Sequence, residues 1–183
     1  YNAHSKTYQY RISTDRNRNV FTRKYSYHIN EMPDMEKMRT MAQEFIGEKD
    51  FSGFTNLKSK KKSTVRKIYR IDIHQDKNGE IMIDIEGNGF LQNMARIIAG
   101  TILEAGTGKR DTESVRKIFS GGAREDAGAM LPSQGLKLLN VKYYRHREAD
   151  MDYRQALNYI ENTGKFGSRL GLENVSRLLD ILG

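Results

Sequence analysis

STVRKIYRIDIHQDKNGEIMIDIEG, residues 63–87, holds two alternating patterns separated by a turn signal. Val65, Tyr69, Ile71 and Ile73 alternate with Arg66, Arg70, Asp72 and His74, and Ile81, Ile83 and Ile85 keep the same period beyond the break. A two-residue period is that of a strand with one buried face. Asn78-Gly79 suggests a two-residue turn, but that register sets Ile73 opposite Asp84 and mixes the faces. A three-residue loop, Lys77-Asn78-Gly79, sets Ile73 opposite Ile83 and Ile71 opposite Ile85. The prediction is an antiparallel hairpin whose loop closes with Gly79 in the left-handed region, forming a bulge.

Immediately after it comes NGFLQNMARIIAG, residues 88–100. Leu91, Met94, Ala95, Ile98, Ala99, Ile102 and Leu103 fall at the offsets of one helical face, so the order is strand, glycine-rich turn, helix. Arg96 lies well round from that stripe, and between Met94 and Ala105 the only other polar residues are Thr101 and Glu104. A guanidinium in such company either reaches water or meets an anion, because burying it unpaired costs several kcal/mol. Glu104 is too far along the helix to serve, and Asn93 and Gly100 flank Arg96 at about one-turn spacing. Either a structural salt bridge forms or the partner comes from another domain, a second chain or a ligand.

Working outward, SKTYQYRIS reads as a strand with Tyr8 and Tyr10 spaced two apart. PDMEKMRTMAQEFIG reads as a helix with Asp34 as N-cap, Met35, Met38, Ala42 and Phe45 on one face and Gly47 as its stop. DTESVRKIFSGG is a short helix capped by Asp111 or Thr112, and GLKLLNVKYY is a strand with Leu139, Val141 and Tyr143 on one side. The fold class expected is α/β (α+β), an antiparallel or mixed sheet backed by helices, with a C-terminal helical extension in which Tyr153, Ala156, Leu157 and Ile160 make one stripe and Leu172, Val175, Leu179 and Leu182 another.

The chain has 183 residues, a formal charge of +8 and no cysteine. That size allows one domain with a real core and a small appendage, and the missing thiols exclude disulfides and thiolate metal sites. No run of about 18 apolar residues is present, so no membrane partner is expected, and the composition fits a cytoplasmic protein. Residues 151–183 carry four basic and four acidic side chains, so the whole positive excess belongs to residues 1–150. A polyanion is the partner such an excess suits, a solvated lysine-rich face the plainer reading. Lys58, Lys60, Lys61, Lys62, Arg66 and Lys67 crowd into ten residues, either as a solvated loop or as contacts to nucleic-acid phosphates. Tyr8 beside Lys6 is either a core tyrosine or a platform for an unpaired base. GNGFLQ ends in Gln92 where a dinucleotide fingerprint needs glycine, and LEAGTGKR has Leu103 and Arg110 where a phosphate loop needs glycine and Ser/Thr. His4, His28, His74 and His146 lack metal-ligand spacing, which removes zinc.

The stretches SKTYQYRI, DFSGFTNLKSKKKSTVRKIYRIDI, GNGFLQNMARIIAGTILEAGTGK and AGAMLPSQGLKLLNVKYY, in this order, resemble the C-terminal domain of the tRNA pseudouridine synthase A family over about residues 1–144. The resemblance implies a ferredoxin-like half beside a positively charged cleft, a homodimer gripping the anticodon stem-loop of tRNA, and conversion of uridine to pseudouridine without a cofactor. Carried over to this sequence, Tyr8 matches the tyrosine that packs on the target base. Arg96 matches the active-site arginine that pairs with the nucleophilic aspartate. The Arg-Thr-Asp-x-Gly context of that aspartate does not occur here, and Asp15 in STDRNR has neither the arginine nor the glycine. The expectation is therefore a catalytically incomplete half awaiting an N-terminal catalytic half, and Tyr1 in place of Met suggests that the natural N-terminus is missing.

The remaining stretch, MDYRQALNYIENTGKFGSRLGLENVSRLLDILG, resembles the opening of bifunctional folylpolyglutamate/dihydrofolate synthases, without the phosphate loop that follows in that family. The organisation expected is 1–145 as the RNA-binding and active-site-wall domain, 146–150 as linker and 151–183 as a two-helix extension, by fusion or read-through. The rival readings are a non-catalytic tRNA- or RNA-binding module and a folate-ligase-related fragment without an ATP site.

Overall fold

The computed structural model describes residues 3–14, 23–56 and 63–143. Ala3–Lys142 forms one compact unit. Lys58, Lys60, Lys61 and Lys62, the expected linker and the expected two-helix extension lie outside the described residues.

Along the chain run β1 (Ala3–Ser13), β2 (Tyr27–His28), α1 (Met35–Gln43), β3 (Gly47–Asp50), β4 (Val65–Gln75), β5 (Ile81–Gly87), α2 (Met94–Gly106), α3 (Thr112–Phe119) and β6 (Leu136–Tyr143). The six strands form one sheet in the order β2-β1-β5-β4-β3, with β6 also paired to β1. β2 joins β1 in parallel, whereas β1–β5, β4–β5 and β3–β4 are antiparallel. The mixed α/β class read from the sequence is the one observed.

At its turn the β4–β5 hairpin has the inferred register, with Ile71 opposite Ile85 and Ile73 opposite Ile83. Gly79 has φ +80°, and the Asp76 carboxylate accepts from the Asn78 and Glu80 amides, so the loop satisfies its own donors. At its other end the hairpin departs from the expectation. The register slips between Ile68 and Arg70, Ile68 is fully buried, and Val65 and Tyr69 stand 43% and 37% exposed instead of facing the core with Ile71. One extra residue on a strand reverses its inside-outside parity from that point.

The core lies between the sheet and α1 and α2. Tyr10 and Ile12 of β1 and Ile81, Ile83 and Ile85 of β5 meet Met38, Met41 and Ala42 of α1 and Met94, Ile98 and Ile102 of α2. Each such side chain contributes about 1.5–3 kcal/mol when removed from water. Asp34 caps α1 as read, accepting from the Glu36 and Lys37 amides, and Asp111 caps α3 through the Ser114 amide. Phe45, Phe51, Phe54 and Phe119 pack edge to face, so the DFSGF stretch is a wall of the core. β6 is a strand as read, with Leu138 and Leu139 49% and 43% exposed, because it pairs with β1 at the sheet margin, outside the core cluster.

Candidate nucleic-acid interface

Helix α2 begins later than its apolar stripe suggests. Asn93 sits in the left-handed region at φ +63°, which asparagine tolerates better than most residues, and Leu91 is buried in the turn ahead of it. Asn93 does not cap the helix with its side chain. Its Oδ1 instead accepts from Arg96 at 3.1 Å. The Arg96 Nε donates to the Leu131 carbonyl at 2.6 Å, and the Leu131 amide returns a 3.4 Å bond to the Arg96 carbonyl. The guanidinium is therefore half-buried, aimed from two sides, and among the described residues meets only neutral oxygens. Two of its five N–H groups are engaged in these bonds, which leaves donors and the full charge for an anion.

The strap that holds Arg96 fits because α2 has no side chain where the strap crosses. A Cβ on Gly100 would lie 1.9 Å from the Ala129 carbonyl oxygen, and one on Gly128 would lie 2.6 Å from the Thr101 Cα. The Gly128 amide also donates to the Thr101 hydroxyl at 3.0 Å. One residue beyond Leu131, the Pro132 carbonyl accepts from the Tyr10 hydroxyl at 2.6 Å. Burial pushes the Tyr10 phenol far above its ordinary range, with the positive Arg96 nearby pulling weakly the other way. The hydroxyl thus stays a donor, and β1, the strap and α2 are tied at adjacent carbonyls.

Tyr8 lies two residues from Tyr10 and so projects from the same face of β1, the face that packs on α2. Its ring is half-buried and meets Phe90 edge-on, with centroids 5.0 Å apart. Phe90 also lines a cavity of about 390 Å³ with Lys6, Arg66, Asn88, Gly89 and Ala3. Asn88 builds this wall by extending the sheet past β5: its amide donates to the Lys67 carbonyl and its Oδ1 accepts from the Lys67 amide, both at 3.0 Å. The fold thus gathers Lys6 and Arg66 around a polar cavity, with Tyr8 behind its Phe90 wall. Arg96 stands on the same side of the sheet, joined to β1 through Tyr10 rather than through Tyr8. Phe90 and Asn88 were not singled out from sequence as site residues. Their only signal was an aromatic and an amide in the turn between strand and helix.

The opposite face of the sheet is polar. Glu86 accepts from Lys142 at 2.7 Å, Ser5 at 2.8 Å and Arg70 at 3.1 Å. The Lys142 bond foremost, with those from Ser5 and Arg70, outweighs burial and holds its carboxyl down to about 2. Among the described residues no cluster of histidine and carboxylate side chains has the arrangement to hold a metal ion. No described helix is long and apolar enough to cross a membrane.

Residues 41–144, which include α2, the strap and the hairpin, match the family described as tRNA pseudouridine synthase. The chain belongs to that family. It is 44% identical over 143 residues to tRNA pseudouridine synthase A 1 of Clostridium tetani, covering 78% of this chain and 58% of that protein. It is 39% identical over 143 residues to tRNA pseudouridine synthase A 2 of Bacillus cereus, with the same coverage. To tRNA pseudouridine synthase A of Halalkalibacterium halodurans it is 42% identical over 136 residues, 74% of this chain and 51% of that one. The chain therefore spans between half and three-fifths of these relatives' length.

Proposed function

We propose that this chain is the RNA-holding half of a tRNA pseudouridine synthase, an isomerase acting on uridines of the anticodon stem-loop. Arg96 is the observation that carries this reading: a cation aimed by two neutral oxygens, with donors left for an anion. In the reaction the C1′–N1 bond of uridine breaks, the uracil turns, and a C1′–C5 bond forms, with the C5 proton lost to water and a proton taken up at N1. A carboxylate nucleophile starts the exchange. This sequence lacks the Arg-Thr-Asp-x-Gly context, so the carboxylate comes from an N-terminal catalytic half, and Arg96 neutralises it. Tyr8, edge-on to Phe90, offers its ring to the extruded uracil, since a base under chemical attack must leave its stack. Arg66, with Lys58, Lys60, Lys61 and Lys62, contacts phosphates, which positions the RNA without reading it. A homodimer in the cytoplasm completes the proposal, with residues 1–145 as the RNA-binding domain and 151–183 as an appended extension.

The test is tritium release from C5-labelled uridine in tRNA, by this chain joined to a catalytic half bearing the Arg-Thr-Asp motif. Arg96→Ala is expected to lower the rate roughly a hundredfold or more, the scale of losing a donor at developing charge. Asn93→Asp keeps the left-handed turn but places a carboxylate against Arg96, and is expected to slow the reaction as well. Unchanged turnover in Arg96→Ala and Tyr8→Ala proteins that remain folded would overturn the assignment.

A further inference from the structure

The bulge in β4 does more than end a regular ladder. Continued without interruption, the two-residue period would carry Tyr69 to the core beside Ile71 and Ile73. The register slip between Ile68 and Arg70 gives the inner position to Ile68 and turns the Tyr69 ring outward, a re-aiming for which bulges are suited. What it meets there is not apolar. The His4 ring stacks on it with centroids 6.1 Å apart and planes 28° from parallel, and the Lys67 ammonium lies 6.0 Å from the Tyr69 centroid. His4 and Lys67 are exposed.

His4 and Lys67 are chain neighbours of Ala3 and Arg66, which line the cavity described above. β1 and β4 both pair with Gly87 at the end of β5, Lys6 from one side and Ile68 from the other, and His4 and Tyr69 lie within two residues of those positions. Lys6, Arg66 and Asn88 of the cavity come from the same strand ends, and Asn88 holds the Lys67 backbone through two hydrogen bonds. Two stacked rings with a cation alongside, next to a basic cavity, are the components that unpaired nucleobases use: a base extends the stack while lysines take the flanking phosphates.

We propose that His4 and Tyr69 form a second stacking shelf, distinct from Tyr8, for an unpaired nucleobase of the bound RNA next to the target uridine. The shelf rests on the reading of this chain as an RNA-binding half. It accounts for an aromatic held outside the core at the cost of a regular ladder, which the chemistry at Arg96 and Tyr8 does not require.

The probe is an anticodon stem-loop RNA carrying a single abasic nucleotide, moved along the loop, with affinity for the full chain read by fluorescence anisotropy. Tyr69→Ala is expected to weaken binding of the intact loop roughly tenfold, and Tyr69→Phe to bind as the wild type does. One abasic position is expected to cost the wild type the same factor and to cost Tyr69→Ala nothing further, because ring and base form one contact. Being exposed, Tyr69 can be removed without opening the core, and far-UV circular dichroism checks this. Wild-type affinity in Tyr69→Ala, or abasic losses that add at every position, would overturn the shelf and leave the proposed function standing. A change in oligomeric mass without a change in RNA affinity would overturn it in favour of a protein contact. Absence of RNA binding by the unaltered chain would remove the shelf and the proposed function together.

Discussion

The two ends of the β4–β5 hairpin are built to opposite ends. At the turn, isoleucines face isoleucines, Asp76 closes the loop, and each residue occupies the face its period assigns. At the open end the ladder slips, Val65 and Tyr69 turn outward, and Asn88 prolongs the sheet to wall a cavity with Lys6, Arg66 and Phe90. The first end stabilises the unit. The second gives up some regularity to present aromatic and basic side chains, and departures from local consistency tend to gather where function is.

Removing Ile83 at the regular end strikes hardest: Ile83→Ala is expected to cost about 3 kcal/mol in urea unfolding, from lost burial and the cavity left behind. A loss below 1 kcal/mol would mean that the paired isoleucines are not the stabilising element. Acid acts next, through Glu86 on the polar face. Its carboxyl titrates near 2 when folded against 4.5 ordinarily, so the stabilisation is complete above about pH 4.5 and disappears as pH falls towards 2. With Lys142 and Arg70 half in solvent, about 2 kcal/mol is at stake. Unfolding followed against pH should show that slope flattened in Glu86→Gln. Gly79→Ala follows at about 1 kcal/mol, wholly from the positive φ, since nothing lies within 4 Å of the added carbon. Val65→Thr should move the melting midpoint least, within about 0.5 kcal/mol for an exposed position. A cost above 2 kcal/mol there would put Val65 in the core and abolish the contrast between the two ends.

The turn register was legible because the alternative mixed isoleucine with aspartate across the strands, a conflict visible in the letters. The start of α1 was legible because Asp34 acts through local backbone geometry, whereas the helix ends earlier than Gly47 suggested, at Gln43 with Glu44 as its cap, and Gly47 opens β3 instead. Arg96 stood out because a charge in an apolar helix demands an acceptor, though no pattern named the Leu131 carbonyl 35 residues away as one. The bulge left no trace: Ile68-Tyr69 supplies an apolar residue to either parity, so the composition fits both registers. β3, GEKD, has no apolar alternation and exists because its backbone pairs with β4. Phe90 and Asn88 came to line the cavity only because the sheet brings β1 and β4 to the same corner.

Gly100 puts the Arg96 cation under the control of a hydrogen atom. Its bare α-carbon admits the 128–131 crossing, and so sets the bearing of a guanidinium one turn earlier on the same helix. Alanine, the residue helices favour most, would strengthen α2 in isolation while evicting the crossing that steers Arg96. A chain so altered would keep its sheet but lose the buried Leu131 together with the carbonyl that bears on Arg96, so melting curves and product formation would both register the change.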